Sequence, residues 1–260
     1  MGVVNVTPDS FSDGGDAFER AAAVERGLAL AAEGADILDI GGESTRPGAR
    51  PVPASEQMSR VMPVIEALAG EGHRVSVDTR DAAVMEAALE AGAAIINDVS
   101  ALTHDPRALD VISASGAHIV LMHMQGDPQT MQDDPSYDNV VQEVFEYLSR
   151  RIETLEARGV RRERIAIDPG IGFGKTPQHN LHLLNQIGLF CELGCAVLVG
   201  VSRKSFIGQL SRNEPPKERL PGSLAAGVSA VASGAHILRV HDVAETAQAL
   251  NVWQAIRDAR

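Results

Sequence analysis

Eight short apolar runs recur along the chain, each separated from the next by a segment of different character. The runs are rich in β-branched residues and show little alternation of apolar and polar residues, which is typical of strands buried on both faces. They lie at 2–6, 36–40, 74–78, 94–99, 118–123, 165–168, 196–201 and 236–240. This repetition constrains the fold more than any other feature of the sequence.

Ala-rich amphipathic segments between these runs predict helices. Several end just before a glycine, a common signal for a helix C-terminus, and Asp81 and Asp242 stand where N-cap residues are expected. The segments 46–53 and 125–136 are predicted to be loops. The predicted helices span 17–33, 54–69, 81–91, 138–158, 178–189, 222–233 and 242–258.

An α/β chain of 260 residues with eight strand–helix alternations fits a single (β/α)8 TIM barrel over 1–260. A doubly wound open sheet is the alternative. Such a sheet normally carries a glycine-rich turn after its first strand, whereas strand one here runs into Thr-Pro-Asp-Ser. The sequence shows no linker or low-complexity tract, so we expect one domain.

The composition excludes several classes of function. A net charge of −12 and an aromatic content of only 3% argue against nucleic-acid binding. No apolar run approaches the length of about 18 residues that a membrane span requires, and residues 1–11 lack the pattern of a secretory signal. We therefore expect a cytoplasmic protein. Cys191 and Cys195 are interpreted as reduced thiols, because a zinc site would need four ligands.

Polar side chains follow the predicted strands at their carboxyl ends, where TIM barrels place their chemistry. Any one of them could simply cap a helix or bond a loop amide, but so many at one rim favour a functional site. The candidates are Asn5, Asp39, Asp78, Asn97, Asp98, Met122, His123, Asp168, Ser202, Arg203, Lys204, Arg239 and His241.

One group among these residues, with the loop after strand two, is suited to an anion. Strands two and eight would both flank strand one in a closed barrel, so their side chains would converge above Asn5. Arginine presents a planar fork that matches phosphate oxygens, and Asn5 could ligate a Mg²⁺ held mainly by phosphate. For Arg46 alone, a solvent-exposed loop arginine is the alternative. The group consists of Ser44, Thr45, Arg46, Gly48, Arg239 and His241.

A second group, Asp78, Asn97, Asp168 and Lys204, is suited to a flat heterocycle. Carboxylates accept paired N–H donors, an amide both donates and accepts, and a lysine donates to a carbonyl or a ring nitrogen. This mixture matches a ring with a guanidine-like edge. An internal salt bridge between Asp168 and Lys204 is the alternative.

Lysine usage and two loops add to the evidence for a functional site. The chain has three lysines against twenty arginines, and Lys175 and Lys204 both follow predicted strand ends. Glycines in 168–175 permit close backbone approach, and Phe173 is expected to stand exposed among them as a wall for an aromatic ligand. The segment 7–15 is predicted to be a mobile loop.

Seven motifs, in order and at the eight-strand spacing, resemble the dihydropteroate synthase family of folate biosynthesis. The resemblance covers almost the whole chain. The motifs are NVTPDSFSDGG at 5–15, DIGGESTRPG at 39–48, VDTR at 77–80, INDV at 96–99, DPGIGFGK at 168–175, SRKS at 202–205 and RVHDV at 239–243.

This resemblance implies that a dihydropterin carrying a CH₂-diphosphate condenses with 4-aminobenzoate to give dihydropteroate and pyrophosphate. It implies Mg²⁺ as cofactor, a homodimer formed through the late helices, and inhibition by sulfonamides. Asp78, Lys204, Arg239 and His241 are then the catalytic candidates, and Asn5 is the metal ligand. The loops at 7–15 and 44–50 would close over the site.

The resemblance also distributes the site residues among the two substrates. The pterin would contact Asp78, Asn97, Met122, Asp168 and Lys204. The diphosphate would contact Asn5, Thr45, Arg46, Arg239 and His241. The 4-aminobenzoate pocket would be formed by Thr45, Pro47, Phe173 and Ser205.

Two other functions share parts of this pattern. A pterin-binding methyltransferase domain would have the same Asp/Asn pocket but would not need the diphosphate motifs at 44–48 and 239–241. A catalytically silent paralogue would bind pterin without turnover. Four intact residues argue against it, namely Asn5, Arg46, Lys204 and His241.

Overall fold

The structure, a computed structural model, describes residues 1–6, 15–44 and 48–259, with side chains from residue 20 onward in the first helix. Eight parallel strands form a sheet in sequence order. They are β1 (Gly2–Asn5), β2 (Leu38–Gly41), β3 (Val75–Asp78), β4 (Ile95–Asp98), β5 (His118–Met122), β6 (Ile165–Asp168), β7 (Ala196–Val199) and β8 (Ile237–Leu238).

Helices follow the strands and cover the outside of the sheet. Among the described residues they are α1 (Gly15–Ala32), α2 (Ala54–Gly70), α3 (Ala82–Glu90), α4 (Ala108–Ala114), α5 (Val140–Glu156), α6 (Pro177–Asn185), α7 (Ile187–Cys191), α8 (Ser205–Gln209), α9 (Leu220–Ala232) and α10 (Val243–Asp258). Short 3-10 turns lie at Arg162–Arg164 and Pro216–Glu218.

The sheet closes on itself between its last and first strands. The amide of Val3 donates to the carbonyl of Val240 at 3.0 Å, and the amide of Val240 donates to the carbonyl of Met1 at 3.0 Å. Gly2 and Val240 form a parallel bridge. The predicted (β/α)8 barrel is therefore confirmed, and the open-sheet alternative is wrong.

The inside of the barrel is filled by apolar side chains at its amino-terminal end. Ile37, Ile95, Val120 and Leu198 pack there as one cluster, with Ala166 and Ile237 against it. Side chains two positions apart on a strand face the same side of the sheet. The next inward positions are therefore Asp39, Asn97, Met122, Asp168, Gly200 and Arg239, and this shift from apolar to polar residues creates the site.

Two helices of the structure were not predicted from the sequence, namely α4 and α8. Each spans one to two turns, which is too short for a helical period to be recognised. The predicted helix 178–189 is divided into α6 and α7 at Gln186. The other predicted helices end within two residues of the observed bounds.

The two predicted N-cap aspartates occupy their expected positions but do not cap with their side chains. Asp81 accepts a hydrogen bond from Gln57 at 2.6 Å, and Asp242 forms an ion pair with Arg203. The predicted N-cap positions are therefore confirmed, but these carboxylates bond partners distant in sequence, whereas a capping oxygen must face its own helix.

Within the described ranges, no helix has the length and apolar character needed to cross a membrane.

Candidate functional site

The carboxyl ends of the strands bring buried polar side chains together inside the barrel mouth. Asp78 ends β3 and Asp168 ends β6, while Asn97 is the penultimate residue of β4. All three are at most 7% exposed, and Asp39 on β2 is fully buried. Because the strands are parallel and adjacent, residues distant in sequence face one cavity.

Asp39 connects two of the predicted site residues. Its Oδ2 atom accepts a hydrogen bond from Asn97 Nδ2 at 3.1 Å and one from Arg239 Nε at 2.6 Å. The sequence placed Asp39 at a strand end but gave it no role. Its spacing of two residues from the interior residue Ile37 is the signal that identifies it as an inward-facing side chain.

Arg239 lies between two carboxylates. Its Nη2 atom donates to Asp78 Oδ2 at 2.8 Å, in addition to the bond to Asp39. Burial opposes the charge on Arg239, but the two aspartates outweigh burial and raise the pKa of its guanidinium. Arg239 therefore stays charged and offsets part of the negative charge of the cavity.

Two buried carboxylate oxygens in this cavity have no hydrogen-bonding partner among the described residues. They are Asp39 Oδ1 and Asp78 Oδ1. A buried acceptor without a partner is costly, by about 1 to 3 kcal/mol. These oxygens are therefore available to a ligand that presents N–H groups.

Burial changes the ionisation of the aspartates. Desolvation raises the pKa of Asp78 to about 7, with Arg239 lowering it and Asp39, Asp98 and Glu43 raising it. Desolvation also raises the pKa of Asp168, against the lowering effect of Lys204. Asp78 can consequently hold or release a proton near neutral pH.

Lys204 and Phe173 form one wall of the mouth. The ammonium of Lys204 lies 4.7 Å from the centre of the Phe173 ring and donates to the carbonyl of Ile171. Burial lowers the pKa of Lys204 to about 8, although Asp168 raises it. Phe173 is half-buried rather than exposed, because Lys204 covers one face of its ring. Because Lys204 donates to the Ile171 carbonyl, the alternative of an internal salt bridge between Asp168 and Lys204 finds no such ion pair among the described residues.

The predicted anion group is only partly within the described residues. Thr45, Arg46 and Pro47 lie outside them, as does most of the predicted mobile loop 7–15. His241 is positioned by Ser202, whose Oγ lies 3.0 Å from the His241 Nδ1 atom and accepts from the His241 amide at 3.2 Å. The expected convergence of Arg46 with His241 therefore stays a prediction, while β2 and β8 do both flank β1.

Asn5 stands at the end of β1 beside the acidic cavity. Measured from the position of a Cβ atom added to Gly41, Asn5 Oδ1 is 4.0 Å away and Asp78 Cβ is 3.6 Å away. The side-chain amide of Asn5 has no hydrogen-bonding partner among the described residues. The described part of the chain contains no cluster of three His, Cys, Asp or Glu side chains that could hold a metal. One amide oxygen suits a Mg²⁺ whose other ligands come from phosphate and water.

Met122 and Ser205 complete the set of predicted site residues. Met122 pairs with Asp168 in the register of β5 and β6 and is 3% exposed, so it contributes apolar surface inside the mouth. Ser205 begins α8 directly after Lys204 and is exposed.

The sequence also gave no role to a buried ion pair at the rim. Arg80 Nη2 lies 3.3 Å from Glu43 Oε2, and Glu43 Oε1 accepts from the amide of Val52 at 3.1 Å. Through Glu43, the pair thus fixes the position of Val52, which lies beyond the loop that follows β2. Arginine and glutamate in loop motifs usually indicate solvated residues, so the sequence contained no signal for this pair.

The arrangement can bind a flat ring and an anion at adjacent positions. Carboxylate oxygens at the cavity floor accept from ring N–H groups, and Lys204 can donate to a ring nitrogen or carbonyl. A developing negative charge at the rim would be stabilised by nearby cationic groups.

Comparison with known proteins is consistent with this geometry. Residues 1–241 match the model of the family described as "Pterin binding enzyme". The dihydropteroate synthase of Escherichia coli (strain K12) is 47% identical over 261 residues, covering 100% of this chain and 92% of that protein.

Solved structures are similar over the whole chain. Dihydropteroate synthase of Xanthomonas albilineans with 4-aminobenzoic acid superposes with a TM-score of 0.93 at 53% identity, covering 99% of this chain and 92% of that one. The Yersinia pestis enzyme in a sulfonamide drug complex has a TM-score of 0.93 at 44% identity, covering 99% of this chain and 94% of that one.

Proposed function

This chain belongs to the pterin-binding enzyme family, and we propose that it acts within that family as a dihydropteroate synthase, a transferase of folate biosynthesis. The reaction joins a (7,8-dihydropterin-6-yl)methyl diphosphate to 4-aminobenzoate. The products are 7,8-dihydropteroate and pyrophosphate. The geometry of the barrel mouth supports each part of this reaction.

The observation that carries the proposal is the pair of unpartnered carboxylate oxygens on Asp39 and Asp78. A pterin has a guanidine-like edge of adjacent N–H donors, which is complementary to a floor of buried acceptors. Asp168 and Asn97 add further polar contacts, and Met122 adds apolar surface for the ring. A site of this kind discriminates strongly, because a ligand without the N–H groups leaves buried oxygens unpaired.

In the bond-breaking step, the C–O bond between the pterin methylene and the diphosphate breaks, and its electron pair leaves with pyrophosphate. Negative charge grows on the leaving group. Arg239 and His241 follow β8 at the rim, where positive charge would stabilise that growth. Arg239 bonds Asp39 and Asp78 in this structure, so binding of the diphosphate would draw part of its fork away from these carboxylates.

In the bond-forming step, the amine nitrogen of 4-aminobenzoate bonds to the methylene carbon, and the resulting ammonium then releases its proton to water. The methylene-pterin left by pyrophosphate is cationic, and the buried carboxylate of Asp78 stabilises that charge. An aromatic amine attacks such a centre without prior deprotonation. We therefore assign no nucleophilic serine or cysteine and no covalent enzyme intermediate.

Magnesium is part of the proposal, with Asn5 as the protein ligand. The free amide oxygen of Asn5 next to the acidic cavity supports this assignment. When bound, the ion would neutralise charge on the diphosphate. Asn5 positions the diphosphate end of the substrate over the pterin pocket.

The 4-aminobenzoate pocket is proposed to lie beside the Phe173 ring and Ser205, with Thr45 and Pro47 contributing from outside the described residues. The half-buried ring offers an apolar wall, and the adjacent Lys204 faces it. Sulfonamides, which mimic 4-aminobenzoate in shape and charge, are expected to compete at this pocket.

A homodimer and a cytoplasmic location complete the proposal. Val252 and Ile256 on α10 are 56% and 69% exposed, and an exposed apolar pair on a late helix supports association with a second copy. Cys191 and Cys195 are free thiols, which fits a reducing compartment.

The decisive experiment is an assay of pyrophosphate release from the pterin diphosphate with and without 4-aminobenzoate. We expect release that depends on 4-aminobenzoate and slows when Mg²⁺ is chelated. Binding of pterin without release would indicate a silent paralogue. Methyl transfer from a reduced folate without pyrophosphate release would indicate the methyltransferase alternative. A rate indifferent to chelator would remove Asn5 from its assigned role.

A further inference from the structure

Lys175 is one of the three lysines of the chain, and the reaction proposed above gives it no role. It ends the loop 169–175 after β6 and is 2% exposed. Burial lowers the pKa of Lys175 well below its usual value, with Asp168 raising it and Lys204 lowering it further. Burying an amine costs free energy unless the amine forms hydrogen bonds. The hydrogen bonds of Lys175 therefore explain why it can be buried.

Three uncharged polar atoms surround the Lys175 amine within hydrogen-bonding distance. Lys175 Nζ donates to the Phe173 carbonyl at 2.9 Å and to the His123 carbonyl at 3.4 Å, and it forms a hydrogen bond with the His123 Nδ1 atom at 3.0 Å. Burial, with Lys175 beside it, lowers the pKa of His123 to about 2, so its imidazole is neutral and Nδ1 can accept. One amine thus joins the end of β5 to the loop after β6.

The loop lies too close to the chain after β5 for side chains to fill the gap. A Cβ atom added to Gly170 would lie 1.8 Å from the His123 carbonyl oxygen, and one added to Gly174 would lie 2.5 Å from the Gln125 carbonyl oxygen. Both glycines have positive φ angles. Polar contacts from Lys175 therefore hold two backbone segments together where apolar packing cannot.

The same loop presents three groups to the site. The Gly170 amide donates to Asp168 Oδ1 at 2.7 Å, the Ile171 carbonyl accepts from Lys204, and the Phe173 ring lies 4.7 Å from the Lys204 ammonium. Movement of the loop would displace the proposed wall of the 4-aminobenzoate pocket more than the pterin floor, which is built on strands.

We infer that Lys175 is a positioning residue. Through its bonds to Phe173 and His123 it fixes the loop 169–175, so that Phe173 and Lys204 form the wall of the 4-aminobenzoate pocket. Lys175 contacts neither substrate in this assignment. Its effect on catalysis rests on the proposed function, whereas its effect on the loop does not.

Hydrogen–deuterium exchange of the substrate-free protein tests the loop directly. Lys175→Met keeps the length of the side chain and removes the amine, and Lys217→Met, at an exposed lysine, is the matched control. We expect exchange in 169–175 and 123–125 to be about tenfold faster in Lys175→Met, because this variant lacks the hydrogen bonds of the amine that oppose local opening. Unchanged exchange in these segments, or a uniform increase over the barrel, would overturn the inference.

Steady-state kinetics provide the second readout. In Lys175→Met we expect KM for 4-aminobenzoate to rise about tenfold while KM for the pterin diphosphate changes less than about threefold. A merely structural role would lower the active fraction and leave both KM values unchanged, and that result would contradict positioning. If the wild-type protein releases no pyrophosphate, the proposed function fails, and the exchange experiment still decides the role of Lys175.

Lys175→Gln serves where the Met variant does not fold. Its amide can still donate to the Phe173 carbonyl but is too short to bond His123 as well, so we expect a smaller acceleration of exchange in the same two segments. Exchange equal to that of the wild type in this variant would also overturn the inference.

Discussion

Single buried carboxylates determine how this molecule responds to pH. Asp78 has a pKa of about 7 in the folded chain, far above the usual value of 3.8, because it is desolvated and because Asp39, Asp98 and Glu43 add negative charge against the opposing Arg239. The folded state therefore binds a proton at pH values where the unfolded chain has released it. Such a residue serves the site at the expense of stability.

The free energy of unfolding should consequently decrease as the pH rises from about 4 to about 7, because the folded-state pKa of Asp78 is raised. Above pH 7 this pH dependence should disappear. In Asp78→Asn we expect that decrease to be smaller by roughly 2 to 4 kcal/mol. Urea unfolding of the wild type and of Asp78→Asn across this pH range measures the decrease. Asp133→Asn, a variant at an exposed loop residue, is the control. An unchanged pH profile in Asp78→Asn would contradict the assigned ionisation.

Asp168 is expected to govern affinity for the ring rather than for the diphosphate. Asp168→Asn should weaken binding of a free 7,8-dihydropterin about 100-fold, because a buried charge-assisted hydrogen bond is lost. Isothermal titration at low and high salt should give the same loss, since a buried contact is little screened.

Asp134→Asn, also exposed, is the control for this titration. Affinity of Asp168→Asn equal to that of the wild type would exclude Asp168 from the pterin pocket.

At the scale of elements, the loop after β6 combines backbone strain with close approach. Gly170, Gly172 and Gly174 all have positive φ angles, and the loop joins Asp168 at its start to Lys175 at its end. Glycine is needed there for two separate reasons, left-handed backbone and absence of a Cβ atom. These two reasons can be distinguished by experiment.

Gly170→Ala should destabilise the fold by about 3 kcal/mol or more, because the new methyl group would lie 1.8 Å from the His123 carbonyl oxygen, a backbone atom. Gly72→Ala is the matched control, since Gly72 has a φ of +84° and nothing within 4 Å of an added Cβ. It should cost only about 1 to 2 kcal/mol, for the left-handed backbone alone. Equal losses in thermal or urea unfolding would show that the close approach is absent.

At the scale of the whole molecule, closure of the barrel makes distant segments neighbours. Hydrogen bonds from Val3 to Val240 and from Val240 to Met1 join the two ends of the sheet, and this places Arg239 beside Asp39 and Asp78. The outer layer ends in α10, whose side chains Val252 and Ile256 remain exposed.

Ile256→Asp should convert a dimer into a monomer, because a carboxylate cannot be buried in an apolar contact without a partner. Analytical ultracentrifugation over a range of concentrations measures the mass. Leu28→Asp, at an apolar residue of α1 that is 39% exposed, should leave the dimer intact. A wild-type protein that sediments as a monomer at every concentration would end the dimer proposal.

The sequence alone determined the positions of the strands and the polar residues at the barrel rim. Hydrophobic periodicity is local, so eight buried runs, their order and the polar residues at their ends are readable without coordinates. Short helices such as α4 and α8 were missed because one or two turns carry too little pattern. The tertiary structure alone decided which charges pair, namely Arg239 with Asp39 and Asp78 and Arg80 with Glu43, and that Lys175 forms a hydrogen bond with His123. These contacts depend on barrel closure and on burial, which set distance and desolvation between residues that the chain separates, and no local pattern records them.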